Sequence, residues 1–192
     1  NIVLLIDISG STGTAYGSGK AVDVEKMLAV SVLKNMGADE NLAVVAFNTA
    51  AYVISDLSKI YEKVNLEDRI TSLKDGGGTL VGVGIIKAIS LLDAVSGSKN
   101  IILVSDGKSQ GESIVREASK AASDRGIKIY TIGVGQETNK ELMREIADIT
   151  NGIYFEATEQ TRLKIIFGKT EDKDKKTNTK NLQVLNSNHF IT

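Results

Sequence analysis

The apolar run Ile2-Val3-Leu4-Leu5-Ile6 breaks off at Asp7-Ile8-Ser9-Gly10-Ser11, and that junction limits the fold more than any other stretch. Five consecutive apolar residues, mostly branched, leave no polar face. Such a segment reads as a strand covered on both sides, the condition of a parallel sheet between helices. Polarity then changes abruptly. One acid and two hydroxyls occupy alternate positions, with glycine between the hydroxyls. Carboxylate and hydroxyl oxygens are hard donors suited to magnesium or manganese. A turn here would aim Asp7, Ser9 and Ser11 at one ion, and Gly10 would let the backbone turn without a side-chain clash. A strand end followed by a polar loop explains the same residues.

Two distant stretches shift the balance. Asp75-Gly76-Gly77-Gly78-Thr79 is a glycine-rich loop that ends in a hydroxyl and leads into a helical pattern. Ile101-Ile102-Leu103-Val104-Ser105-Asp106-Gly107 is a second buried-strand pattern that ends in an acid. In an open parallel sheet, ligands bind beyond the carboxyl ends of the strands, where strand order reverses. Asp7 and Asp106 both stand at such ends, and Thr79 can approach from the loop between them.

This set resembles the von Willebrand factor A domain, also seen as the integrin I domain, over roughly residues 1–168. The family's metal-ion-dependent adhesion site uses Asp-x-Ser-x-Ser, then a threonine, then an aspartate. Asp7, Ser9, Ser11, Thr79 and Asp106 supply all five. Thr12 stands where many members carry methionine, a position that is not a ligand. The resemblance implies a six-stranded, mostly parallel sheet in the order 3-2-1-4-5-6, with strand 3 antiparallel. It also implies that the hydroxyls bind the ion directly and that the aspartates often act through water. The implied ion is Mg2+, with Mn2+ or Ca2+ as alternatives. Magnesium prefers six oxygens at about 2.0–2.1 Å. Three hydroxyls leave that shell incomplete, so one position is open to an Asp or Glu carboxylate of a protein partner.

The rest of the chain alternates strand and helix patterns, which argues for a three-layer α/β, Rossmann-like domain. Val24, Leu28, Val32 and Met36 predict a helix over 21–36. Leu42–Phe47 reads as a buried strand that turns at Asn48-Thr49 into an antiparallel edge strand, Ala51–Ile54. A helix is expected within 59–73 on Val64, Leu66, Ile70 and Leu73, and another over 80–95. Gly82 and Gly84 weaken the start of that helix by ~1 kcal/mol each and suit close packing under the site. Ser109-Gln110-Gly111-Glu112 and Thr138-Asn139-Lys140-Glu141 match the capping-box pattern. They introduce a helix over 111–125, with Ile114, Val115, Ala118 and Ala122 inward, and a helix carrying Leu142, Ile146 and Ile149. Strands are expected at 127–133 and Ile153–Phe155. Leu163, Ile166 and Phe167 predict a last helix, Thr158–Phe167, stopped at Gly168.

Composition shifts after that point. Residues 169–181 form a charged stretch read as a linker, and 182–192 begin a following domain or pack back on the first. The chain starts inside a strand pattern without methionine and reads as a fragment of a larger protein. No apolar stretch approaches the ~20 residues of a bilayer span, so no direct membrane insertion by this fragment is expected. A cell-surface or membrane-anchored parent protein is expected, with the cytoplasm as the alternative.

Several chemistries are disfavoured. A formal net charge of −1 gives no field for nucleic acid. The absence of cysteine removes thiolate and zinc–sulfur chemistry. The glycines before Lys20 miss phosphate-loop spacing at Thr14 and Ala21. Haloacid-dehalogenase-like phosphatases also place an Asp after a first strand, but they need a second acid where Ser9 stands. The lone histidine, His189, lies in the tail, so no Ser–His–Asp set forms. The resemblance to the von Willebrand factor A domain implies a metal-dependent, adhesion-type protein-binding module, and these exclusions add the expectation that it is not an enzyme. The alternatives are a metal-binding module of an ATP-driven intracellular machine and, behind it, a magnesium-dependent phosphatase.

Overall fold

The computed structural model describes residues 1–13, 15–16, 19–135, 137–157, 163–167 and 182–186. In chain order the elements are β1 (Ile2–Asp7), a 3-10 turn (Gly10–Gly13), β2 (Ala15–Tyr16), β3 (Gly19–Lys20), α1 (Ala21–Asn35), β4 (Asn41–Phe47) and β5 (Ala51–Lys59). A second 3-10 turn (Ile60–Glu62), α2 (Leu66–Thr71), α3 (Val81–Leu92), β6 (Lys99–Ser105), α4 (Glu112–Asp124), β7 (Ile127–Val134) and α5 (Lys140–Ile149) follow. The last are β8 (Tyr154–Ala157), β9 (Leu163–Phe167) and β10 (Leu182–Asn186).

Six strands form one sheet in the order β5-β4-β1-β6-β7-β8. Only β5 is antiparallel, against β4; the other pairings are parallel. This is the expected 3-2-1-4-5-6 order with its third strand reversed. β1 sits in the middle because its side chains serve both faces. Ile2, Leu4 and Ile6 point to the side covered by α1 and α2, where Ala21, Ala29, Val32, Leu66 and Ile70 meet them. Val3 and Leu5 point to the side covered by α3, α4 and α5, with Val81, Ile85, Val115 and Met143. A continuous apolar strand can satisfy neither face against water, so helices must cover both.

The helix pattern of α3 depends on its glycines. A Cβ at Gly84 would stand 3.0 Å from the Phe47 ring and 3.1 Å from Leu5 Cδ1, and one at Gly82 would stand 2.9 Å from Ile114 Cγ2. The helix therefore lies against β1 and β4 closer than any larger residue would allow, as its sequence suggested.

Several local expectations are corrected. The helix expected within 59–73 is shorter, because β5 continues to Lys59 through pairing with Asn41, and α2 starts only at Leu66. Val64 lies ahead of α2 and is exposed, as is Ile114 in the first turn of α4. Ser109 does not cap α4: Gly111 holds that place with φ 68°, and Ser109 Oγ instead accepts the Val81 N–H at 3.2 Å. Asn139 rather than Thr138 caps α5, accepting the Leu142 N–H at 3.2 Å. The expected last helix is a strand over Leu163–Phe167, paired antiparallel with Leu182–Asn186. A five-residue segment with four apolar residues fits either period, and here cross-strand pairing decides. Residues 158–162 and the expected linker at 169–181 lie outside the described residues. No helix among the described residues is long and apolar enough to cross a membrane.

The tight seat of α3 yields a first prediction. Gly84→Val is expected to lower unfolding free energy by about 2–3 kcal/mol in chemical denaturation, because it overpacks Phe47 and Leu5. Gly84→Ala is expected to cost less, since a small clash is partly offset by better helix propensity.

Candidate metal centre

β1 ends at Asp7, and β6 ends one residue before Asp106, at adjacent positions in the sheet. The chain leaves β1 toward β4 on one side, while β6 lies on the other. The carboxyl ends of β1 and β6 thus flank the point where strand order reverses, the crevice in which open α/β sheets bind ligands.

Asp7 is fully buried. The Ser9 N–H donates to its Oδ1 at 2.8 Å, and the Ser105 hydroxyl donates to its Oδ2 at 2.6 Å. Ser105 is held in turn by the Gly107 N–H, which donates to its Oγ at 2.9 Å. Both carboxylate oxygens are therefore oriented by donors from two different strand ends. Burial, with a smaller part from the like charge of Asp106, pushes the Asp7 carboxyl up to about 6 against these hydrogen bonds.

The hydroxyls line up beside it. Ser9 Oγ and Ser11 Oγ lie 2.9 Å apart, and Ser11 Oγ and Thr79 Oγ1 lie 3.3 Å apart. Ser9 is buried and Thr79 nearly so. The turn that brings Ser11 back toward Ser9 is closed by the Thr12 hydroxyl, which donates to Ser9 O at 2.7 Å. Asp106 is almost fully buried and accepts the Lys108 N–H on Oδ1 at 2.9 Å. Burial raises its carboxyl above the ordinary range, against hydrogen bonding from Lys108 N–H and the Ser11 hydroxyl and the charge of Lys108. All five residues singled out in the sequence thus meet in one connected cluster.

Backbone contacts hold the three loops together. The Gly10 N–H donates to Gly77 O at 2.9 Å, and the Gly76 N–H donates to Ile8 O at 2.9 Å. A Cβ at Gly10 would stand only 3.0 Å from Gly77 O, and Gly77 itself has φ 80°, so both glycines are needed for this approach. The Leu80 N–H donates to Asn48 O and the Gln110 N–H to Thr79 O, each at 2.9 Å, while Asn48 Nδ2 donates to Gly76 O at 2.9 Å. Thr79 is therefore fixed from the ends of β4 and β6 as well as by its own helix.

The donor set fits a hard divalent cation. It offers two buried acids with no lysine or arginine paired to either among the described residues, and three hydroxyls beside them. No group of three His, Cys, Asp or Glu side chains lies close enough to hold a metal among the described residues. Any ion here would rely on hydroxyl and water oxygens, which suit magnesium-like ions and not zinc.

Two residues of the site were not singled out in the sequence. Ser105 stands one residue before Asp106, where a buried strand should carry an apolar side chain, and that break in the run is the signal. Asn48 was read only as a turn residue.

Comparison with known proteins follows the same lines. Residues 1–169 match the family model described as von Willebrand factor type A domain. An uncharacterised Synechocystis protein is 25% identical over 158 residues, covering 79% of this chain and 36% of that protein. The chain thus spans little more than a third, or less, of the relatives it matches. Among solved structures, BatB from Bacteroides thetaiotaomicron is 20% identical with a TM-score of 0.72, covering 81% of this chain and 89% of that one. The manganese-loaded TRAP protein of Plasmodium vivax is 21% identical with a TM-score of 0.64, covering 77% and 61%. At these identities the solved structures show the fold.

Asp7 generates the second prediction. Its folded carboxyl is raised, so in metal-free protein its contribution is full below about pH 4 and is lost as pH rises through about 6. Thermal melts in chelator should therefore show stability falling across that window by roughly 2–3 kcal/mol. Asp7→Asn should remove its share of that fall and leave the part that the raised carboxyls of Asp106 and Glu25 contribute. Ser105→Ala, which leaves Asp7 Oδ2 without its donor, should cost about 1–3 kcal/mol at neutral pH.

Proposed function

The chain belongs to the von Willebrand factor type A domain family, and on that premise we propose that it is a protein-binding module that works through a divalent cation. Asp7, Ser9, Ser11, Thr79 and Asp106 would hold the ion. Mg2+ or Mn2+ is the expected species, with Ca2+ as a third candidate. The partner's contribution is the carboxylate of an Asp or Glu side chain. The observation that carries this reading is the hydroxyl row Ser9–Ser11–Thr79 set beside two buried acids that form no ion pair among the described residues.

Each residue has a distinct task. Ser9, Ser11 and Thr79 present neutral oxygens, which leave the ion's charge largely unspent toward a partner. Asp7 and Asp106 supply the negative charge that draws a cation to a buried position. Asp7 also orients Ser9 through the backbone N–H, and Ser105 keeps Asp7 from rotating. The bound ion would supply an electrophilic position for an outside carboxylate oxygen. Hydrogen bonds between loops keep the donors in place before any partner arrives, which lowers the ordering cost of binding.

Binding rather than catalysis is the reading, because a serine, Ser9, follows two residues after Asp7 where a phosphatase of this topology needs a second acid. Residues 1–168 form the proposed module, followed by the charged stretch 169–181 and the segment 182–192.

Calorimetric titration is the direct test. Wild-type protein should take up one Mn2+ or Mg2+ and melt at higher temperature with it. Asp7→Ala and Asp106→Ala should abolish uptake or weaken it greatly, whereas Ser9→Ala and Ser11→Ala should each weaken it less. No binding at millimolar metal would overturn the reading. A chain ending at Gly168 should keep the six-stranded sheet and the same metal affinity. Its collapse would show that 182–186 is integral to the module.

A further inference from the structure

One buried acid has no part in the site so far. Glu25 lies one turn after Ala21 and one turn before Ala29, on the stripe of α1 that packs on the sheet. It is 0% exposed, and neither Oε1 nor Oε2 has a hydrogen-bond partner. A carboxyl among alanines and valines without a partner is costly, by an amount that exceeds any packing gain from its methylenes. α1 packs against the Gly10–Gly13 turn, which carries Ser11, and against β1, which ends in Asp7, as well as against β6 and β7.

The charges around Glu25 are one-sided. Its carboxyl is pushed well above the usual range first by burial and then by the charges of Asp7 and Asp106, while Lys26 pulls the other way. The Lys26 ammonium is engaged by Leu73 O. Among the described residues no lysine or arginine is paired with Glu25, Asp7 or Asp106. Nor do the three acids converge closely enough to share one ion as ligands. Glu25 is near enough for its field to reach the cluster and too far to join it.

We propose that Glu25 is an outer-sphere positioning residue of the metal centre, a buried carboxyl that a bound dication draws into its charged form and that then strengthens the hold on the ion. This rests on the metal-binding reading above. The attraction between a carboxylate and a cation scales with the cation's charge and is weakly screened in the protein interior, so a dication favours the charged form of a buried acid far more than a monovalent ion does. A third acid therefore favours a dication over a monovalent ion at the same place.

Manganese titration of three variants tests it. Glu25→Gln keeps the size and removes the charge. Its Mn2+ dissociation constant should rise about ten-fold or more, the size of loss that one weakly screened charge facing a dication gives. Its metal-free melting temperature should be unchanged or higher, a pattern that a merely structural role would reverse. Glu25→Asp keeps the charge and should restore most of the affinity. Glu25→Met, uncharged and of similar length, should behave as Glu25→Gln and serves if that variant does not fold. Uncharged variants that bind Mn2+ as tightly as wild type would overturn the inference. So would a Glu25→Asp as weak as Glu25→Gln, since shape and not charge would then be at work. Wild-type protein that takes up no Mn2+ would instead overturn the metal-binding reading on which this rests.

Discussion

The Asp7 carboxylate, buried at the end of the central strand, is the constraint on which the site depends. Its two oxygens accept from Ser9 N–H and from the Ser105 hydroxyl, so the ends of β1 and β6 are tied through one side chain. Removing such a group from water is unfavourable, and its carboxyl rises to about 6 in response. The sheet tolerates this because the remaining residues of β1 are apolar and fully covered on both faces. A single costly acid is set against a large apolar surround, at the one end of the strand where a ligand can compensate it.

Rigidity of the hydroxyl row follows from backbone bonding between loops. Gly76 and Gly77 exchange hydrogen bonds with Ile8 and Gly10, and Asn48 and Gln110 hold the same loop from its other sides. Side chains aimed by such a frame are held in place by the protein alone. The close seat of α3 on Phe47 and Leu5, allowed by Gly84, anchors the helix that begins two residues after Thr79.

Charge at this end of the sheet is unbalanced by design of the fold. Asp7, Asp106 and Glu25 are all buried, and the lysines nearby are engaged elsewhere: Lys108 with Glu137, and Lys20 with Asp75. Those exposed pairs contribute little to stability. Their place is at the rim, where Lys20–Asp75 joins the β3 end to the glycine loop. The interior acids, in contrast, are costly to the domain as long as no opposite charge compensates them.

The apolar runs Ile2–Ile6 and Ile101–Val104 by themselves determined two buried parallel strands, because a segment with no polar side must be covered on both. The acids and hydroxyls that end those runs marked Asp7, Ser9, Ser11 and Asp106, and Thr79 followed from the glycines before it. Ser105 was visible only as a polar residue in an apolar run, and Glu25 only as an acid on an apolar stripe, since spacing along one helix does not show which loop lies above it. Leu163–Phe167 shows the opposite limit. Its apolar positions fit a helix or a strand, and pairing with Leu182–Asn186, fifteen or more residues away, decided for the strand. The same holds at the caps, where Gly111 and Asn139 took the places expected for Ser109 and Thr138 because a tertiary partner, the Val81 N–H, claimed the Ser109 hydroxyl, and the Gly135 carbonyl claimed that of Thr138. Local pattern determines which segments must be buried and which atoms can bind. Contacts between segments distant in sequence decide which of two locally acceptable conformations is taken, because their energies enter only once the sheet has formed.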